Sequence, residues 1–535
     1  MTAPAEGRTR PAADAGERPA SVRTVWWRDV GGDDEVEELG PWSRLVPPLA
    51  VAVVVVGIAL RLYSRSQLWL DEALTVNIAR LGPGAMVDAL RHDGHPPLYY
   101  LLLHGWMKVF GDGNVAVRSL SAVFGIACLP LAYVVARRVG GARAGLATLL
   151  ILAASPFAIR YSTETRMYSL VMLLVLCGWL AVHACLERPT PLRLVAVAVI
   201  SGLLALTHYW AFYLLAATSI ALVVAWRRRV PGAGKTFLAL AAGAVLFLPW
   251  LPVFLEQAAS TGTPWGRPER PTSIAAISLA DWGGGPFAEA QLVGFGILGL
   301  LGLALLARAM GRWRVELDFR TVPGVRIEVA VVVGTVLLAT LAGYATDSAF
   351  ASRYTAMIFP LVIVAAGYGL SRLPGRVWLA ALAVLLALSS VGAVRNLITQ
   401  RTQAGTIAAY IQRQGGPGDV VAYCPDQLGP AVSRLLPADF VQQTFPAGAD
   451  PHFVDWADYA KKQAAGDPTA LAKELVERAG RHNVWLVVAT GYRTLGTKCE
   501  QLSNAIGALR PGLEVVPSGD EFEHAALHQY GPTGG

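Results

Sequence analysis

Charge is what this chain is short of. Asp, Glu, Lys and Arg make up 16% of its 535 residues, against about 25% in an ordinary soluble domain, and the mean hydropathy is +0.45. That excludes a soluble globular protein and points to a polytopic membrane protein. No cleavable leader is expected either. Residues 1–44 are polar and rich in Pro, Ala and Gly, with the acidic run Asp33-Asp34-Glu35-Val36-Glu37-Glu38, and are expected to be a disordered cytoplasmic tail. No glycine-rich phosphate fingerprint follows a strand-like run, which argues against a nucleotide site. No convincing internal repeat is found, and carriers often show one. The net charge of +7 is no nucleic-acid signal either, because the basic residues cluster in short loops between apolar runs.

What is present is a succession of eleven apolar segments, near 45–63, 115–138, 144–160, 168–186, 192–212, 211–226, 235–254, 289–309, 328–345, 355–372 and 377–397. About 20 apolar residues cross a bilayer. The fifth and sixth segments share a turn within Thr207-His208-Tyr209-Trp210. Arginine settles the orientation. Arg137-Arg138 with Arg143, Arg188 with Arg193, Arg227-Arg228-Arg229 with Lys235, Arg312 to Arg326, and Arg372 with Arg376 fall on alternate loops. The positive-inside rule puts all five in the cytoplasm. The N-terminus is then cytoplasmic and residues beyond the last span are outside. Segment 97–110, too short to span, is expected to lie along the outer interface.

Near residue 399 the composition turns soluble. Gly418 to Tyr423 and Asn483 to Ala489 read as short buried strands, with helical stretches near 401–414, 426–436, 467–481 and 498–509. The expected domains are therefore a tail over 1–44, a transmembrane catalytic domain over 45–398 and a small extracytoplasmic α/β domain over 399–535. Cys128, Cys177 and Cys185 lie in apolar segments and act as small hydrophobes. Cys424 and Cys499 are the only cysteines of the outer domain. Cys424 follows the first strand and Cys499 opens a helix soon after the second, so the two are expected to pair across adjacent strand ends, in a compartment where disulfides persist; the alternative is two unrelated buried thiols.

Charged side chains recur at the outward ends of the spans, where ionisable groups need a wet cavity or each other. Asp71 and Glu72 follow the first span, and His92, Asp93 and His95 come one short helix later. Tyr161, Glu164, Arg166 and Tyr168 share the next outward loop, His208 another, and Arg353-Tyr354 a late one. A carboxylate within hydrogen-bond reach of a hydroxyl is a general base, and guanidinium forks suit a departing phosphate. Each reading has a plainer rival. Asp71 is either a base or the N-cap of a helix from Glu72, and Glu72 either a second acid or a solvated residue. Arg166 and Arg353 either hold phosphate or snorkel to headgroups. His92 and His95 either ligate a metal with Asp71 or shape a turn. His208 is more simply a satisfied interfacial histidine, and Trp265 and Trp282 belt residues in place of sugar platforms.

Three stretches in this order carry a resemblance: Leu68-Trp69-Leu70-Asp71-Glu72, His95-Pro96-Pro97-Leu98-Tyr99-Tyr100, and Tyr161-Ser162-Thr163-Glu164-Thr165-Arg166-Met167-Tyr168. Over residues 45 to 400 the chain resembles the bacterial membrane glycosyltransferases of family 39 type. These belong to the GT-C superfamily, which also holds the protein O-mannosyltransferases and the lipid A aminoarabinose transferase. The resemblance implies a polytopic α-helical fold of about eleven spans in the plasma membrane. It also implies inverting transfer of a sugar from a polyprenyl phosphate to an acceptor hydroxyl on the outer face. Asp71 then resembles the essential first-loop acid and Glu72 its partner. The loop around Arg166 resembles the one that helps hold the donor, and Arg353-Tyr354 a late arginine at a span end. His95, Tyr161, Glu164, Tyr168 and His208 are candidate substrate contacts. The family commonly has Gln where Thr163 stands. Mannose is favoured as the sugar by a composition rich in Ala, Val, Gly and Arg; the acceptor is a lipid, a glycan or a protein. No cofactor is required, and a divalent metal is left open. The rival function is a transporter or lipid flippase, disfavoured because the acids lie at span ends and not at the midplane.

Overall fold

The computed structural model describes residues 45–263, 266–310, 314–446 and 448–532; the tail over 1–44, and Trp265, lie outside them. All eleven apolar segments fall on helix. Among the described residues six helices are long and apolar enough to cross a membrane, and shorter apolar helices cover Val46–Arg61, Pro191–Ala205, Ala211–Arg227 and Phe359–Ser371. The longest, Asn114–Ala154, is two helices meeting at a kink. Gly141 there has φ 79°, a conformation open to glycine at little cost, and a Cβ on Gly140 would come within 2.5 Å of the Tyr368 ring.

Arg61 closes the first span. It is buried, and its guanidinium donates to the carbonyls of Gly57, Leu152 and Ala153 at 2.7, 2.6 and 2.9 Å. The last two belong to the final turn of helix Asn114–Ala154, where carbonyls lack a full set of intrahelical partners. The arginine loops gather at one end of the bundle, where Arg143 donates to the Leu373 carbonyl at 2.9 Å.

Three short helices, Leu70–Arg80, Pro83–Asp93 and Leu98–Phe110, occupy the opposite end. Gly94, at φ 81°, ends the second in the left-handed region. The third has 13 residues, a length of about 20 Å at the helical rise and short of a hydrocarbon core of about 30 Å. His104 ties it to the Ala79 carbonyl at 2.8 Å.

The sheet domain covers the same end. Its strand order is Val441–Thr444, Val420–Cys424, Val484–Val488, Ala526–Tyr530, Gly512–Val516. The first three are parallel and the last two antiparallel additions. The two strands legible in the sequence are buried at every residue, as continuous apolar runs should be. Ala422 and Leu486 face helices Pro468–Ala479 and Lys498–Gly507. Val421, Tyr423 and Trp485 face helix Ala404–Gln414 on the side toward the bundle. Of the three strands the sequence reading missed, two are the sheet edges and the third, Ala526–Tyr530, lies between Val484–Val488 and the edge strand Gly512–Val516. Val441-Gln-Gln-Thr is polar, and Ala526-Leu-His-Gln-Tyr alternates too briefly to separate from a loop.

Cys424 and Cys499 form a disulfide with Cα atoms 5.5 Å apart. As expected, Cys424 ends a strand and Cys499 lies in the first turn of helix Lys498–Gly507, soon after the neighbouring strand Val484–Val488. The bond closes a separation of 75 residues, contributing about 4 kcal/mol in the chain-entropy model. Mass spectrometry of a non-reduced digest should recover the two cysteine peptides as one linked species. Separate peptides, both alkylated without reduction, would remove the bridge.

Candidate active site

Trp69 is the N-cap of helix Leu70–Arg80, in extended backbone with ψ 174° and no side-chain cap. The helix thus starts earlier than the sequence suggested, and Asp71 stands inside its first turn. Its side chain is released from capping and lines a cavity of about 1160 Å³ between the bundle end and the sheet domain. Arg353, from the short turn Ser352–Met357, approaches Asp71 at 3.6 Å. The same guanidinium lies over the Trp69 ring, 5.8 Å from its centroid.

Glu72 points the other way, off the cavity. It is fully buried and takes a two-pronged contact from Arg118, at 2.7 Å to Oε1 and 2.6 Å to Oε2. The Thr165 backbone N–H adds 2.9 Å to Oε1, and Arg401 stands 3.9 Å away. Burial alone would raise this carboxyl; Arg118 above all, then Arg401 and the Thr165 amide, outweigh it and hold Glu72 below the ordinary value. Glu72 is therefore a charged strut joining the first outward loop to helix Asn114–Ala154 and to the third motif.

That motif is folded around the strut. Thr163, where the resembling family commonly has Gln, accepts from Arg401 with its carbonyl at 3.0 Å and its hydroxyl at 2.7 Å. Glu164 is buried with no hydrogen bond to either carboxyl oxygen among the described residues. Arg160 and Arg401 stand 3.9 and 4.0 Å off. Burial pushes its carboxyl up, Glu72 and Asp71 add to that, and the two arginines fail to offset it.

Arg166 lines the cavity with one edge anchored. It donates to Thr75 Oγ1 at 2.8 Å and to His95 Nε2 at 2.8 Å. His95 Nδ1 in turn meets Asp93 Oδ2 at 2.9 Å, and the Tyr100 hydroxyl donates to the same oxygen at 2.6 Å. This chain fixes the ring and the guanidinium together. Burial would raise Asp93, but His95 and Arg166 keep it below the usual range.

Of the residues singled out in the sequence, Asp71, His95, Tyr161, Arg166, Tyr168, Arg353 and Tyr354 line the cavity; Glu72, Glu164, His92 and His208 do not. His92 pairs with Asp455 at 2.8 Å on the sheet-domain side. His208 is buried behind, its ring 5.3 Å from that of Tyr354 and 6.1 Å from that of Tyr168. Trp282 is neither belt nor platform: it is buried and donates to Thr355 Oγ1 at 2.9 Å. Among the described residues no three His, Cys, Asp or Glu side chains converge as a metal site. Arg118, Arg401 and Glu523 were missed. Arg118 had a signal, a lone arginine four residues into an apolar segment. Arg401 and Glu523 had none, because only the tertiary fold brings them here.

Residues 94–252 match the family model described as dolichyl-phosphate-mannose-protein mannosyltransferase. No curated protein sequence matches the chain. Among solved structures, ArnT from Cupriavidus metallidurans in the apo state superposes with TM-score 0.57 at 14% identity. The match covers 91% of this chain and 97% of that one. ArnT bound to undecaprenyl phosphate gives TM-score 0.57 at 13% identity, covering 91% and 98%. An Archaeoglobus fulgidus oligosaccharyltransferase tethered with an acceptor peptide is more distant, with TM-score 0.48 at 11% identity over 85% and 72%. The chain thus has the fold of the ArnT structures, a polytopic helical membrane domain carrying a small sheet domain.

Proposed function

We propose that the protein transfers a sugar, mannose by preference, from a polyprenyl phosphate to an acceptor hydroxyl, in the cavity beneath the sheet domain on the extracytoplasmic face. The observation that carries this reading is the placement of Asp71 and Arg353 together on one cavity wall. The match to an ArnT structure bound to undecaprenyl phosphate supports a donor carried on a polyprenyl lipid. Acids held at helix ends around a roofed cavity support an enzyme over a carrier.

In this mechanism Asp71 takes the acceptor hydroxyl proton. The acceptor oxygen bonds to the anomeric carbon, and the carbon–oxygen bond to phosphate breaks with its electron pair leaving on the lipid phosphate. An in-line displacement that inverts the centre needs base and leaving group on opposite sides of that carbon. The donor phosphate therefore draws Arg353 away from Asp71, and Arg160 and Arg395 add cationic lining to the cavity. Arg166 is anchored by Thr75 and His95 and positions the wall. Tyr161, Tyr168 and Tyr354 offer ring faces and hydroxyls to the sugar. Glu72 holds Asp71 in place through the helix they share, while Glu164 and His208 shape the wall from behind.

The test is incubation of the purified protein with radiolabelled polyprenyl-phosphate-mannose or -arabinose and a panel of lipid, glycan and peptide acceptors. Label should move from the mannose donor, with release of polyprenyl phosphate. No transfer from either donor to any acceptor would defeat the reading.

Orientation is tested by a membrane-impermeant thiol reagent on intact cells. A single cysteine at Lys461, whose side chain is 83% exposed on the sheet domain, should be labelled. One at Phe319, 81% exposed in an arginine loop, should be labelled only after lysis. The reverse result inverts the topology.

A further inference from the structure

The helix that carries Asp71 is capped by a residue 453 positions away in sequence. The Leu70 backbone N–H, at the first position of that helix, donates to Glu523 Oε1 at 2.9 Å. Leu70 offers one of the four amides a helix cannot pair internally, and Glu523 accepts from it although burial, with Asp71 and Glu72 near, pushes that carboxyl up to about 8. No side chain of the helix's own cap position does this work. Glu523 also lines the cavity, and its neighbour Phe522 meets the Trp69 ring edge-on with centroids 5.2 Å apart.

The loop that presents Glu523 is strapped in place. The Glu523 N–H donates to the Arg401 carbonyl at 2.9 Å, and its own carbonyl accepts from the Gln403 N–H at 3.1 Å. The Gln403 side chain accepts from the backbone N–H of Gly519 at 2.9 Å and of Ala525 at 2.8 Å, and donates to the Pro517 carbonyl at 3.0 Å. The strap is rooted where the last membrane helix passes into the sheet domain. There Arg401 also grips Thr163. The geometry is a built contact between the sheet domain and the turn Trp69-Leu70-Asp71, with ring packing on one side and a hydrogen bond on the other.

We propose that Glu523 is a positioning residue of the transfer reaction: by capping Leu70 from the sheet domain it fixes where the Asp71 carboxylate stands in the cavity. The inference rests on the reading of Asp71 as the base. The sheet domain is then a working part of the catalytic centre, setting the base through the Glu523 cap beside the Phe522–Trp69 packing.

The test compares Glu523→Ala, which removes the cap, with Glu523→Gln, which keeps an oxygen able to accept from Leu70. Both are made in the full-length protein in lipid nanodiscs. Misplacing a reacting group by an ångström costs about 10²-fold, so Glu523→Ala should lower kcat about 10- to 100-fold with donor KM within about twofold of wild type. Glu523→Gln should recover most of that loss. Hydrogen exchange gives an arm that needs no substrate. Amides at the start of helix Leu70–Arg80 should exchange about tenfold faster in the Ala variant and at the wild-type rate in the Gln variant. Faster exchange with kcat unchanged overturns the proposal, as does wild-type exchange in Glu523→Ala, or a Gln variant as slow in turnover as Ala. A wild-type protein silent with every donor defeats the transfer reading instead, and the exchange comparison still decides the cap.

Discussion

Asp71→Asn will abolish sugar transfer while expression and thermal unfolding stay at wild-type levels. The amide matches the carboxylate in shape but cannot take a proton from the acceptor hydroxyl, and general-base assistance is worth about 10² to 10⁴ in rate. Folding should be indifferent because the Asp71 side chain caps nothing and meets Arg353 at 3.6 Å on the cavity wall. Turnover is read by release of polyprenyl phosphate. A variant that keeps more than about a tenth of wild-type turnover excludes Asp71 as the base, since the smallest expected loss is about 10²-fold.

The second large effect is on stability. Arg118→Leu leaves Glu72 buried with its two shortest contacts gone, and breaking one partner out of a buried pair costs about 3–5 kcal/mol. Arg401, 3.9 Å away and committed to Thr163, is too far to take over. The double change Arg118→Leu with Glu72→Leu should regain much of the loss, because replacing a whole buried pair by apolar groups is often close to neutral. Unfolding followed by intrinsic fluorescence in detergent measures both. Equal losses in the single and double variants would mean that packing, and not the stranded carboxylate, sets the cost. The double variant should fold but transfer slowly, since the strut that holds the first outward loop is gone.

The sequence made the scaffold legible because bilayer thickness and arginine placement act on whole segments, and whole segments survive small errors of boundary. Asp71 was legible for the same reason: a carboxylate beside a span end must face water or a partner. Glu72 read in the sequence as its partner acid or a solvated residue, with no sign of a buried ion pair. The two differ by one residue, about 100° around a helix, and that rotation alone sends one side chain to the cavity and the other to Arg118. Periodicity could not settle this without the true helix start, which lies at Leu70 and not at Glu72. Glu523 was invisible for a different reason. Its role depends on a strap between the Arg401–Gln403 segment and the loop at 517–525, a pairing with no local signature.

The distance in sequence between Leu70 and Glu523 is also a distance in time. The two partners are 453 residues apart, and a ribosome adding about 5–20 residues per second needs on the order of 20 to 90 seconds to travel between them. Throughout that interval the helix bearing Asp71 is already outside the ribosome with its first amide uncapped, and the cavity has no roof. The contact forms only when the loop at 517–525 arrives, so a copy that stops short of that loop keeps Asp71 but lacks the Glu523 hydrogen bond at the start of its helix.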